Sequence, residues 1–269
     1  MRYNNEFKVV DTQEKAYLLG QIYGDGYNGC KDQKNKSYKF SMASINTDKD
    51  LYEQLSHLFP FLKLQFYKSH ENMVYLQNYE KEFCLDLKSL GMISNKTVKD
   101  VTGEFHFPNI DDSLIPHFLR GYFDADGSAW YPKRARSRNN LHIEFGCSTK
   151  NFLLAIKNYL DNQGIYFTYI ERSKKGGNGK HYTSYILLSS NSIISLKFAD
   201  MIYKDATIYL PYKYDRCYKP KDLRLTASEV YGECPYCGSS HIIRIGIRTN
   251  KRRLLCKECF KRFTRPLPN

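Results

Sequence analysis

The sequence contains no run approaching the ~18 consecutive apolar residues of a membrane-spanning helix. Its amino-terminal MRYNNEFKVVD lacks the apolar core of a secretory signal. Membrane and export readings are therefore weak, and a cytoplasmic or nucleoid-associated protein is expected. A Gly-rich loop of the G-x-x-x-x-G-K-[ST] type is also missing, so nucleotide hydrolysis on such a loop has no support. Cysteine is too sparse for a disulfide scaffold. Four of the eight (Cys30, Cys84, Cys147, Cys217) are scattered and read as small apolar side chains. Negative charge is in deficit: 28 Asp+Glu face 41 Lys+Arg, a formal net charge of +13. With 269 residues, 42% of them apolar, the chain can bury a substantial core. The basic excess then points to a polyanionic partner, nucleic acid before membrane.

The charge is unevenly placed. Residues 211–269 hold 14 basic and 5 acidic side chains, leaving 27 and 23 in the preceding 210 residues. The body still carries basic runs at 31–39, 132–138 and 172–180. Each alone would read as a solvated loop. Their positions within a repeat give them another meaning.

YLLGQIYGDG (17–26) and FLRGYFDADG (118–127) repeat one pattern. Leu18, Gly20, Asp25 and Gly26 recur as Leu119, Gly121, Asp126 and Gly127, each 101 residues later. Both motifs are followed by a basic segment, a strand-like stretch (38–44 and 141–147) and a helix-like one (47–59 and 149–160). A pair of strand-like segments follows in each copy, 62–68 with 72–78 and 165–172 with 182–190, and each copy closes on a helix, 79–91 and 192–204. The expected fold is α+β, two αββαββα repeats over 1–103 and 104–213.

Each motif reads as a helix. Asp11 or Thr12 caps the first, with Glu14 near its third position; Asp112 and Ser113 precede the second, with Pro116 in its first turn. Each ends at Asp-Gly, where Gly is expected to supply a left-handed residue. Small residues four apart, Gly20/Gly24 and Gly121/Ala125, leave a bare stripe that lets two helices approach backbone to backbone. Packing about a pseudo-two-fold axis would bring Asp25 and Asp126 together at helix C-termini, where like charge and helix dipoles oppose them. A divalent cation such as Mg²⁺ resolves that conflict and can serve phosphodiester hydrolysis.

LLGQIYGDG and LRGYFDADG resemble the two signature motifs of the LAGLIDADG homing endonucleases, in their single-chain, two-repeat form. The second is the closer match; in the first, Tyr23 replaces the acidic residue at the sixth position. The resemblance spans residues 12–213 and implies a site-specific endonuclease from a mobile element, of the kind that acts in intron homing. It would cut both strands of DNA and leave short 3′ overhangs. The motif helices would form the interface between halves, and the strands a saddle along the major groove. Asp25 and Asp126 would bind Mg²⁺ or another divalent cation at the scissile phosphates. Lysines near each site would be Lys96, with Lys99 as its substitute, and Lys213. Contacts to DNA would come from Lys34, Lys36, Lys39, Lys133, Arg134, Arg136, Arg138, Arg172, Lys174, Lys175 and Lys180. Two repeats in one chain imply a monomer.

Cys234-x2-Cys237 and Cys256-x2-Cys259, with 18 residues between the pairs, have the spacing of a closed four-thiolate Zn²⁺ site. His241 is surplus to that ligand set. Two short strands around a TNK turn suggest a zinc ribbon over 233–269, joined by a linker at 214–232. Arg244, Arg248, Lys251, Arg252 and Arg253 are its expected DNA contacts. Two other functions fit the same fold: an intron RNA maturase, with RNA as partner, and a non-cleaving DNA-binding regulator. Retention of both Asp25 and Asp126 favours the nuclease. The chain does not end in the His-Asn of an intein, which suggests a free-standing protein.

Overall fold

The structure is a computed structural model that describes residues 2–29, 38–93, 105–132, 140–175, 181–218, 227–249 and 251–267. The chain divides into two compact units, 1–219 and 220–269.

The first unit contains the repeat. Its first half runs α1 (Gln13–Asp25), β1 (Gly26–Asn28), β2 (Phe40–Ile45), α2 (Lys49–Leu58), β3 (Lys63–Gln65), β4 (Met73–Asn78) and α3 (Lys81–Ser89). Its second half runs α4 (Ile115–Asp126), β5 (Gly127–Trp130), β6 (His142–Cys147), α5 (Lys150–Asn162), β7 (Thr168–Lys175), β8 (His181–Ser189) and α6 (Ser192–Tyr203). Each half builds one antiparallel sheet with the same strand order, β1-β2-β4-β3 and β5-β6-β8-β7. The short strands β1 and β5, directly after the motifs, had no separate signal in the sequence.

Period-two burial sets the sheet faces. Phe40 and Met42 of β2, and Ile143 and Phe145 of β6, point into the core, while Ser41, Ala43, His142 and Glu144 alternate with them. The core is strongly aromatic. Phe7, Phe59, Phe61 and Phe83 meet edge-on or tilted in the first half; Phe123, Phe145, Phe167 and Phe198 do so in the second. Such contacts add to area burial because ring edges and faces carry opposite partial charge.

A further helix, α7 (Pro211–Tyr218), follows α6 and buries Lys213 and Cys217. Residues 214–218, expected to open a linker, thus complete a helix of the first unit. The second unit begins with α8 (Ala227–Tyr231) and carries a three-stranded antiparallel sheet, β9 (Ile242–Arg248), β10 (Lys251–Cys256) and β11 (Arg262–Pro266), in the order β11-β10-β9. Ala227 packs with Cys234, Ile242, Leu254 and Cys256 in its small core, so α8 is part of this unit as well. The third strand was not legible beforehand.

No helix among the described residues is long and apolar enough to cross a membrane.

Candidate functional site

The two motif helices pack backbone to backbone. A Cβ placed on Gly20 would lie 2.0 Å from the carbonyl oxygen of Phe118, and one on Gly121 would lie 2.0 Å from that of Tyr17. At Gly24 the added atom would sit 2.4 Å from Ala125 Cβ and 3.5 Å from Asp126 Cγ. No side chain fits between the helices at these points.

Thr12 caps α1, its hydroxyl accepting from Lys15 N–H at 3.2 Å, while Asp11 pairs with Lys15 at 2.7 Å. Ahead of α4 the cap is Asp111, which accepts from Ser113 N–H at 2.9 Å in a short turn before Pro116. The expectation of left-handed glycines at the C-termini fails. Gly26 has φ −77° and Gly127 φ −81°, both extended. Both positions exclude a side chain for steric reasons: a Cβ would lie 2.4 Å from Ile22 O at Gly26, and 2.1 Å from a ring carbon of Phe123 at Gly127.

Asp25 and Asp126 are the last residues of α1 and α4, and both are exposed. Both act electrostatically on Tyr122 and on Lys213. Lys213 is 5% exposed, and its amine donates to the carbonyls of Phe123 (2.8 Å), Asp124 (2.6 Å), Ala125 (3.3 Å) and Gly127 (2.8 Å). An ammonium has three protons to donate. Lys213 thus satisfies the carbonyls that α4 leaves open at its C-terminus, and burial pulls its pKa down. Lys96 and Lys99 lie outside the described residues.

Behind the carboxylates is a polar cluster that the sequence did not single out. Asp124 is 2% exposed and accepts from Tyr203 Oη (2.7 Å), Tyr17 Oη (2.9 Å) and Leu210 N–H (2.7 Å). Burial raises its carboxyl pKa to about 6, against the lowering effect of these donors and of Lys213. Arg120, fully buried, donates to the carbonyls of Ile208 (2.8 Å) and Ile202 (2.9 Å).

Of the expected DNA contacts in the first unit, Lys39 and Arg172 are exposed, Lys39 just before β2 and Arg172 on β7. Lys174 and Lys175 are placed as backbone on β7, paired with β8. Lys34, Lys36, Lys133, Arg134, Arg136, Arg138 and Lys180 lie outside the described residues, as does Cys30. Cys84 and Cys217 are buried and Cys147 partly so.

In the second unit the Sγ atoms of Cys234, Cys237, Cys256 and Cys259 all lie within 4.8 Å of one another. Cys234–Cys259 and Cys237–Cys256 are 3.7 and 3.6 Å apart. Four sulfurs about 2.3 Å from one tetrahedral ion would be about 3.8 Å apart, so the cluster has the dimensions of a Zn²⁺ site. Each Cys pair is followed by a residue of positive φ, Gly238 (70°) and Phe260 (57°), which turns the chain. Backbone N–H groups of Cys259 and Glu258 aimed at its sulfur lower the Cys256 thiol, whereas burial and the other three thiols push that of Cys237 up against a backbone hydrogen bond at Ser239. His241 instead faces Glu258 at 3.1 Å, outside the four-sulfur set. Arg244, Arg248, Lys251, Arg252 and Arg253 line β9 and β10, with Arg248 and Lys251 exposed.

A family model described as a LAGLIDADG-like domain matches residues 114–203, from the turn before α4 to the end of α6. The matched residues make up about a third of the chain. The half that precedes the matched residues has the same element order and sheet topology. Among curated proteins, the glutamine–fructose-6-phosphate aminotransferase of Methanocaldococcus jannaschii is 26% identical over 189 residues. The match covers 67% of this chain and 16% of that protein. Among solved structures, I-DmoI in complex with DNA and Mn is 17% identical, with 71% of this chain and 97% of that chain covered and a TM-score of 0.45. LAGLIDADG meganuclease I-AabMI bound to uncleaved DNA is 16% identical, with coverages of 74% and 86% and a TM-score of 0.46.

Proposed function

We propose that this protein is a site-specific endonuclease of double-stranded DNA that depends on a divalent cation, and that Asp25 and Asp126 are its metal-binding carboxylates. One observation carries this reading. Two helices in backbone contact end side by side in exposed carboxylates, where the dipoles of both helices already place negative charge. Two acidic side chains at such a point call for a cation, and exposure leaves room for phosphate oxygens to share it. A divalent ion bound there would supply a polarised phosphate and an activated water.

The chain's own residues do the rest. The glycine contacts fix the separation of the two carboxylates. Lys213 holds the end of α4 and so the direction of Asp126; it acts as a positioning residue rather than a phosphate contact. Asp124 and Arg120 tie the same helix to residues 202–210. The two antiparallel sheets lie over the DNA, with Lys39 and Arg172 on phosphates and the basic segments 31–39, 132–138 and 172–180 supplying the contact. Cleavage leaves short 3′ overhangs. The four cysteines hold structural Zn²⁺, and the basic ribbon extends the footprint. The protein acts as a monomer in the cytoplasm or nucleoid. The repeats occupy 1–103 and 104–213.

The test is cleavage of a randomised duplex library with Mg²⁺, wild type beside the Asp25→Asn/Asp126→Asn double variant. Ends that share one long motif, absent with the variant, are expected. Equal cleavage by the variant would overturn the assignment. RNA or DNA binding without any cleavage would support a maturase or regulator instead.

A further inference from the structure

The arginines of the second unit are sorted between the two faces of its sheet. Directly opposed residues share a face, and neighbours along a strand alternate. On one face Leu254 is opposed to Arg244 and Phe263, and Arg252 to Arg265. This face carries the small core with α8. Its three guanidinium groups meet at Tyr231, the last residue of α8. Arg252 Nε donates to the Tyr231 hydroxyl at 3.3 Å, and Arg265 Nε donates to its carbonyl at 3.2 Å. The Arg244 guanidinium lies 5.6 Å from the centre of its ring, within cation–π range. These three side chains fasten the helix to the sheet.

The opposite face is built differently. Lys251 is opposed to Arg248 and Pro266, Arg253 to Gly246 and Thr264, and Leu255 to Ile243 and Arg262. Arg248, Lys251 and Arg262 are exposed and Arg253 is half-buried. No acidic residue occurs in β9, β10 or β11. Among the described residues, none of the four cations has an ion pair. Lys251 and Arg253 are about 7 Å apart along β10, and Arg248 and Arg262 stand on strands about 4.8 Å to either side.

The sheet is also open beside Arg253. The register of β9 and β10 shifts between Arg253 and Leu254, and Gly246, opposite Arg253, has φ 137°. A Cβ built on Gly246 would meet nothing within 4 Å. Such a bulge re-aims side chains, and a glycine lets a large ligand come close to the backbone.

We infer that Arg248, Lys251, Arg253 and Arg262 form a binding face for the phosphates of duplex DNA, and that Arg244, Arg252 and Arg265 do not belong to it. Charge complementarity selects the occupant. Four cations on strands without a carboxylate suit a polyanion. A protein partner would need a buried apolar centre with aromatic anchors. This face offers only Ile243 and Leu255, and no aromatic residue. Phosphates require charge alone, so the contact reads no base sequence and gives the ribbon affinity rather than specificity. The inference rests on the reading of the chain as a DNA-binding protein, not on cleavage.

The test is binding of the full chain to a fluorescein-labelled duplex of mixed sequence, read by anisotropy at several KCl concentrations. The variant Arg248→Gln/Lys251→Gln/Arg253→Gln/Arg262→Gln should lose about 3–4 from the slope of log affinity against log salt, and Arg253→Gln/Arg262→Gln about 2, at about 0.9 per phosphate contact. Zinc content and the melt of the 220–269 unit should stay as in wild type. Arg244→Gln/Arg252→Gln should lower that melt and leave the slope of the folded protein unchanged. A wild-type slope in the folded quadruple variant would overturn the face. So would an equal loss in Arg244→Gln/Arg252→Gln held below its melting temperature. A loss seen with single-stranded DNA or RNA and not with duplex would overturn the choice of occupant. Cleavage assays on the same proteins separate the two ideas. Cleavage beside an unchanged slope removes the face and leaves the nuclease reading standing; an altered slope without cleavage by wild type does the reverse.

Discussion

Tyr23 and Asp124 occupy the same position in the two motif helices, 101 residues apart, and fasten their helices in the same way with different chemistry. The Tyr23 hydroxyl reaches the carbonyls of Leu90 and His106, in the stretch that follows α3. The Asp124 carboxylate takes the amide of Leu210 and the hydroxyl of Tyr203, at and after the end of α6. A donor in one half and an acceptor in the other each anchor a motif helix to the segment that closes its half. The departure of Tyr23 from the signature therefore keeps a structural role and leaves the terminal Asp25 in place.

Asp124 makes stability depend on pH. Its folded pKa of about 6 is above the unfolded value of 3.8. Its contribution is fully present below about pH 4 and is lost as pH rises towards 6, a decrease on the order of 3 kcal/mol. In Asp124→Asn the amide oxygen can keep the Tyr17 and Leu210 bonds, while its NH₂ donates to the Tyr203 oxygen. Urea unfolding of both proteins between pH 4 and 7 should show wild type losing stability relative to Asp124→Asn across that window. Parallel profiles would mean that Asp124 titrates normally.

Helix contact at Gly20 and Gly121 tolerates no side chain. Gly20→Ala or Gly121→Ala should cost about 3 kcal/mol or more, because backbone faces the added atom. A thermal melt within a degree of wild type for either variant would contradict the packing.

Asp25→Asn and Asp126→Asn should each lower double-strand cleavage by at least about 100-fold while retaining DNA binding, since phosphate contacts carry most of the affinity. Gel-shift and cleavage assays on the target recovered from the library measure both. Joint loss of binding and cleavage in a folded variant would assign these residues to binding instead.

The four cysteines should hold about one zinc ion per chain. Cys234→Ser/Cys237→Ser should abolish zinc by metal analysis and remove the melting transition of the 220–269 unit while sparing that of the first. Retained zinc would reject the ribbon site. Phe260→Gly, which relieves a positive φ on an exposed side chain, should bind zinc at least as well as wild type.

Lys213 is bound to four carbonyls, so Lys213→Met should leave several of them unsatisfied and destabilise by about 2–4 kcal/mol. Chemical denaturation measures this. A fully stable variant with lost cleavage would instead return Lys213 to the chemistry of the site.

Much of the architecture was legible because it was written twice. The 101-residue offset, the glycine spacing and the alternation of β2 and β6 each had a local signal, and Cys-x2-Cys is a local signal by nature. What escaped depended on contacts distant in sequence. Asp48 reads as an ordinary helix cap until its side chain is seen to turn towards Ser44. Lys213 reads as a basic residue near an acidic site until its amine is found on the end of a helix almost 90 residues earlier. The left-handed glycines were misread because Asp-Gly at a helix end usually signals a turn; here Gly26 and Gly127 make room for Ile22 and Phe123 in an extended chain.

The bare contact between α1 and α4 has a consequence for how such a protein can change. The offset between the two proposed cuts is set by peptide groups of the motif helices, not by any side chain that faces DNA. In the proposed nuclease, substitutions on the outer faces of the two sheets would therefore alter which bases are read, one half independently of the other, without resetting the stagger. A single chain with unequal halves is then free to adopt a target that lacks the two-fold symmetry a pair of identical subunits would impose.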